Sequence, residues 1–192
     1  AFDPRAIRLK SVSCPANSSA SLSLSYADIN PAAPRTLLLV HGWPSLWASW
    51  KFQIAAFGSR YRIIAPDLRG FGASERGDDP IVSMADLAAD LHCILADAGV
   101  ARAACIGHDW GTQTCFEAAR QKGPDLIAAV VGITIPYMPY AGPFVPIAAL
   151  VPQLPHLAYQ VYFDTQPATA SRELDADPLR SLRATLRTVA SP

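Results

Sequence analysis

Gly107-His108-Asp109-Trp110-Gly111 follows a short apolar run at residues 103–106 and precedes a helix-like stretch at residues 112–122, with Gly123 after it. Small residues stand two positions either side of Asp109. A strand that turns into a helix over so few residues needs them, because neighbouring elements crowd the turn and its backbone is strained. This is the pattern of a nucleophile elbow, in which a tight turn lifts the central side chain above a sheet. The centre is an aspartate where a serine is usual.

That exchange changes the chemistry. Serine needs a base to become nucleophilic, whereas a carboxylate with a reference pKa of about 4 is already ionised at neutral pH. A carboxylate opens amides poorly but displaces a leaving group at an sp³ carbon. The product is an alkyl ester on Asp109, which water then cleaves at the aspartyl carbonyl. An epoxide or an alkyl halide suits such an attack and an ordinary ester does not. The structural alternative for Asp109 is a cap on the helix expected from Thr112; the two glycines and Trp110 favour the nucleophile.

Working outward, residues 22–28 alternate apolar and polar positions as a half-buried strand does, and residues 30–34 supply a turn. Residues 36–40 form a β-prone run that stops at His41-Gly42-Trp43-Pro44. A helix-like segment at 48–57 and a buried strand at 61–65 follow. Ser83 is the expected N-cap of a helix carrying Met84, Leu87, Leu91, Ile94 and Leu95, with Gly99 as its stop. Residues 126–135 read as a further apolar strand. Apolar strands alternating with helices indicate a parallel sheet covered on both faces.

Beyond residue 136 the strand rhythm stops. The apolar stretch at 126–154 is interrupted by Pro136, Pro139, Pro143, Pro146 and Pro152, which a uniform membrane-spanning helix tolerates poorly. It reads as a strand leading into a Pro-rich connection. Residues 157–189 are expected to be helical, with Arg180, Arg183 and Arg187 on a solvated face. No internal repeat or low-complexity tract is present.

The chain has 192 residues, 51% of them hydrophobic, with 16 basic side chains balancing 16 acidic ones. That suits one domain of ordinary size with a substantial core. A net charge of zero without a basic block speaks against nucleic acid, an anionic membrane surface or a polyanionic substrate. Cys14, Cys93, Cys105 and Cys115 show no paired metal spacing such as C-x-x-C. Lying in strand and helix patterns, Cys105 and Cys115 read as small hydrophobes. A disulfide framework is therefore not expected, and a reducing, cytoplasmic compartment is. No segment has the basic start and apolar run of a signal peptide, although the first residue is Ala1 rather than Met, which leaves processing open.

His41-Gly42-Trp43-Pro44 ends the strand that would neighbour the nucleophile strand. Its loop can present the Trp43 amide, and the elbow the Trp110 amide, as two oxyanion donors for attack on the Asp109 ester. Losing one such donor typically costs about a hundredfold or more in rate. His41 and the loop at 67–74 read as loop-stabilising, Arg69 as holding the turn by hydrogen bonds, and Trp47 with Trp50 as core.

His41-Gly42-Trp43-Pro44, Trp47 through Trp50, Ala65-Pro66-Asp67-Leu68-Arg69-Gly70-Phe71-Gly72-Ala73-Ser74, Gly107-His108-Asp109-Trp110-Gly111 and Tyr159-Gln160-Val161-Tyr162-Phe163 occur in order. As an ordered set they resemble the soluble-type epoxide hydrolases of the α/β-hydrolase fold. The resemblance implies a mostly parallel sheet with helices on both faces, incomplete on its C-terminal side. It implies core at 1–138 and the first part of a helical cap (a lid over the active site) at 139–192. It also implies that Tyr159 is one of two cap tyrosines that protonate the epoxide oxygen, a role suited to a phenol with a reference pKa of about 10. As a bland alternative, Tyr159 packs beside Tyr162 and Phe163. A cis Trp43–Pro44 bond and an apolar pocket from Pro44, Phe71 and Trp110 are further implications. The expected substrate is a small apolar epoxide, with no cofactor and no metal.

The family's histidine base, its acidic partner and the second tyrosine have no counterpart here. Only His41, His92, His108 and His156 are present, and none follows a late strand. The expectation is that a C-terminal remainder or a second chain supplies them and covers an otherwise unpaired sheet edge. Two other functions stay open. One is a haloalkane or haloacid dehalogenase with the same nucleophile and the Trp110 indole holding halide. The other is a noncatalytic truncated fragment.

Overall fold

The structure, a computed structural model, describes residues 2–16, 21–79, 81–138, 143 and 145–186. The chain divides into two compact units, Ala1–Met138 and Pro139–Pro192. In the first, strands β1 (Lys10–Cys14), β2 (Leu22–Ile29), β3 (Thr36–Val40), β4 (Arg62–Pro66), β5 (Ala103–His108) and β6 (Ile127–Ile133) form one sheet. The spatial order is β1-β2-β4-β3-β5-β6. β2 runs antiparallel to β1 and β4, while β4, β3, β5 and β6 are parallel neighbours. The strand β1 carries no sequence signal strong enough to predict it: three of its five residues are exposed.

Helices cover both faces, as the sequence indicates. Successive strand residues point to opposite sides. Leu38, Val40, Ile64 and Cys105 therefore pack with Leu91, Leu95, Cys115 and Ala118 of helices α2 (Met84–Asp97) and α3 (Trp110–Lys122). Leu39, Ile63 and Ala65 pack on the other side with Trp47, Trp50 and Ile54, from a 3-10 turn (Trp47–Trp50) and helix α1 (Lys51–Phe57). Burial on both faces is why these strands read as unbroken apolar runs. Helix α2 begins with a capping box between Ser83 and Asp86 and stops before Gly99, whose φ is +63°.

The cysteines correct the sequence reading. Cys14 of β1 is bonded to Cys93 of α2, and Cys105 of β5 to Cys115 of α3. Their separations of 79 and 10 residues carry no pairing signal. It is the packing of both helices on the sheet that brings the Cα atoms to 5.9 and 5.6 Å, inside bridging range. Cys105 and Cys115 are core residues, as expected, but none of the four is a free thiol, so the argument from them to a reducing compartment falls.

The second unit is helical: α4 (Ile147–Leu150), a 3-10 turn (Pro155–Leu157), α5 (Ala158–Thr165), α6 (Pro167–Ala176) and α7 (Pro178–Thr185). The helical stretch expected across 157–189 is thus broken into three helices. Pro167 and Pro178 each occupy a first-turn position, where the missing N–H costs nothing, and Asp177 caps α7 through the Arg180 amide. Arg180 and Arg183 are exposed; Arg187, Val189 and Pro139 lie outside the described residues. No described helix is long and apolar enough to cross a membrane.

Candidate active site

Asp109 sits at the apex between β5 and α3 with φ +54° and ψ −126°, a backbone state that non-glycine residues rarely hold. The turn is tight enough that a Cβ at Gly107 would lie 2.2 Å from the Gly111 carbonyl oxygen, and one at Gly111 would lie 2.2 Å from that of Val40. Glycine is required at both by close approach. The Asp109 amide donates to the Ile133 carbonyl at 3.2 Å, tying the apex to β6. Thr112, fully buried, donates to Gly107 O at 2.8 Å and accepts from the Ile133 amide at 3.2 Å. The sequence reading passed over Thr112, because a threonine in the first turn of a helix looks ordinary until its partners are known.

The Asp109 carboxylate does not cap α3. It turns instead to the loop after β3, where the Trp43 amide donates to Oδ1 at 3.0 Å; Oδ2 has no hydrogen-bond partner among the described residues. Gly42 permits this approach, since a Cβ there would stand 2.6 Å from Asp109 Cβ. Trp110 opens α3, so its N–H is one of the first-turn amides that the helix itself cannot satisfy. The Trp43–Pro44 peptide is cis.

His41 holds this loop in place. Its Nε2 accepts from the Leu68 amide at 3.0 Å, which leaves the proton on Nδ1 to be donated to Gly42 O at 2.9 Å. Burial pushes its imidazole below the ordinary histidine value. Asp67 accepts from the Trp47 and Ala73 amides, and Arg69 makes a bidentate pair with Asp90 of α2 at 2.6 Å on both oxygens. The loop at 67–74 and His41 are therefore scaffolding, as their sequence suggested.

A sequence profile described as alpha/beta hydrolase fold matches residues 35–189. The chain belongs to the α/β-hydrolase family. It is 35% identical over 155 residues to epoxide hydrolase A of Mycobacterium tuberculosis, which covers 80% of this chain and 47% of that protein. It is 32% identical over 147 residues to bifunctional epoxide hydrolase 2 of Sus scrofa, covering 76% and 26% respectively. The crystal structure of epoxide hydrolase A from Mycobacterium thermoresistibile superposes with a TM-score of 0.72 at 32% identity, covering 92% of this chain and 55% of that one. The chain spans about half or less of the length of the curated relatives it matches.

Against this α/β-hydrolase frame, the residues expected to form the site fall into two groups. Asp109, Trp43, Pro44 and Trp110 lie together at the ends of β3 and β5. Phe71 is edge-on to the His41 ring at 5.1 Å. Tyr159 lies in the second unit on α5, with its ring 5.6 Å from that of Phe163. A cavity of about 240 Å³ is lined by Ser45, Ser49, Trp50, Gln53, His108 and Ile133 rather than by Pro44, Phe71 or Trp110. Trp50 Nε1, which is buried, has no partner among the described residues. Also among the described residues, no three His, Cys, Asp or Glu side chains gather as metal ligands.

Proposed function

We propose that the protein is an epoxide hydrolase that opens an epoxide to a vicinal diol through an ester on Asp109. The observation that carries this is the Asp109 apex: a carboxylate on a strained strand-to-helix turn, with one oxygen already on a backbone amide. Oδ2 attacks an epoxide carbon, the C–O bond breaks, and the Tyr159 phenol gives its proton to the departing oxygen. Because Oδ1 is already seated on the Trp43 amide, attack through Oδ2 leaves the ester carbonyl oxygen on its donor. Water then attacks that carbonyl, and the Trp43 and Trp110 amides stabilise the oxyanion.

In this reading residues 139–192 are the first part of the cap, and Pro44, Phe71 and Trp110 line the pocket for a small apolar epoxide. The histidine base, its acidic partner and the second tyrosine come from a C-terminal remainder or a second chain. The relatives called epoxide hydrolases support the substrate class. A cytoplasmic setting is part of the same reading. It requires both disulfides to persist among reducing thiols, and thiol titration of protein from a reducing lysate tests it.

The test is the intact mass of the chain after exposure to an aryl epoxide, with Asp109→Asn as control. An adduct of one epoxide on the chain and none on the variant is expected. Adduct on both, or neither adduct nor diol from the unsubstituted chain, overturns the nucleophile. Chloride release from an alkyl chloride without any epoxide adduct would replace the reading with dehalogenation.

A further inference from the structure

Cys105 and Cys115 are bonded across the elbow with Asp109 between them. Both are fully buried where β5 packs against α3. At the turn itself the strand and the helix touch where Gly107 meets Gly111, close enough that a Cβ on Gly107 would lie 2.2 Å from the Gly111 carbonyl oxygen. The Thr112 hydroxyl adds a hydrogen bond to the Gly107 carbonyl at this same end, and apolar packing alone would hold the rest of the two elements together. The sulfur bridge is the covalent tie within that packing, farther from the turn, and together with the contact at the turn it constrains the crossing angle of β5 and α3. What that angle sets is the apex, and a backbone at φ +54° and ψ −126° persists only where its surroundings over-determine it.

We infer that the Cys105–Cys115 disulfide is a reducible brace that positions Asp109. Closed, it holds Oδ1 at the Trp43 amide; open, it lets the apex relax and the carboxylate react more slowly. Opening it needs a dithiol reductant. One reductant thiolate attacks a sulfur, the S–S bond breaks to a mixed disulfide, and the second reductant thiol displaces it. Cys105 and Cys115 each end as a thiol, and the reductant ends as a disulfide. Both sulfurs are buried, so reduction waits on local opening of α3. Cys93 is half-buried, so the Cys14–Cys93 bond opens first under mild reductant and serves as an internal control.

The inference rests on Asp109 as the nucleophile, and its test separates the two. The oxidised chain, the mildly reduced chain, the fully reduced chain and the variants Cys14→Ala and Cys115→Ala are compared. Two readouts are taken: the rate of aryl-epoxide adduct formation and amide hydrogen exchange across residues 103–115. With the brace open, by full reduction or in Cys115→Ala, the adduct rate is expected to fall by about tenfold or more, as removal of a positioning contact does. Exchange at residues 107–112 rises in the same samples. Loss of Cys14–Cys93 alone leaves both unchanged. Should Cys115→Ala fail to fold, the reduced chain, which keeps every side-chain atom, carries the comparison. Equal adduct rates with the brace open and closed overturn the inference. If even the oxidised chain forms neither adduct nor diol, the nucleophile falls and exchange alone decides: faster exchange on reduction supports the brace, and unchanged exchange overturns it.

Discussion

The Trp43 amide donates to Oδ1 of Asp109 at 3.0 Å, so the loop after β3 and the turn after β5 are joined through one carboxylate. An asparagine at 109 keeps an oxygen for that amide but loses the charge. Asp109→Asn is therefore expected to change stability by no more than about 1 kcal/mol, measured by urea titration, while abolishing the adduct. A larger loss would mean that the charge is structural.

Gly111 tests whether the elbow is tight or merely conventional. Its added methyl would meet the Val40 and His41 carbonyls at 2.2 and 2.5 Å, backbone that cannot retreat without disturbing β3. Gly111→Ala is expected to cost about 3 kcal/mol. Gly99 also has a positive φ, but a Cβ there meets nothing within 4 Å, so Gly99→Ala should cost only about 1 kcal/mol of backbone strain. Denaturation midpoints at constant slope compare them.

The Arg69–Asp90 pair is almost wholly out of water, with side chains 5% and 2% exposed. Burial pushes the Asp90 carboxyl up while the guanidinium beside it pulls it back. Removing one partner strands the other, so Arg69→Met is expected to cost about 3–5 kcal/mol. The double variant Arg69→Met/Asp90→Leu should recover most of that, because no buried charge is left unpaired. Urea unfolding of both single variants and the double one checks this.

Acid should loosen the loop after β3 through His41. Burial lowers its folded-state affinity for a proton, so the unfolded chain binds a proton that the folded chain refuses. The stability this provides is complete above the ordinary value of about 6.5 and is lost as pH falls below it. His92, also held low by burial, acts in the same direction. Unfolding midpoints between pH 8 and pH 5 should fall for the wild type and fall less for His41→Gln; equal slopes would remove His41 as the cause.

The fold was legible where one periodicity or one motif sufficed. The runs at 36–40 and 103–106, the Ser83 cap and the elbow glycines all signal locally, and all appear in place. The nearness of Asp109 to the loop after β3 was legible because the strand before that loop was expected beside the nucleophile strand, and β3 does pair with β5. The partners that need three dimensions were not. Cys14 finds Cys93 only once β1 lies beneath α2, Arg69 finds Asp90 across a turn and a helix, and Thr112 joins β5 to β6. The breaks between α5, α6 and α7 were within reach, because Pro167 and Pro178 mark helix starts that a reading by polarity alone passes over.

The order β1-β2-β4-β3-β5-β6 also sets the history of the sheet. Once β4 is in place, each newly synthesised strand joins the same side: β5 beside β3, then β6 beside β5. The opposite border, β1, is five residues long and begins with Lys10, which discourages addition there. β6 leaves Val131 and Ile133 49% and 40% exposed. The sheet thus grows in one direction, and a chain leaving the ribosome can complete each pairing with strands already made, before anything downstream exists.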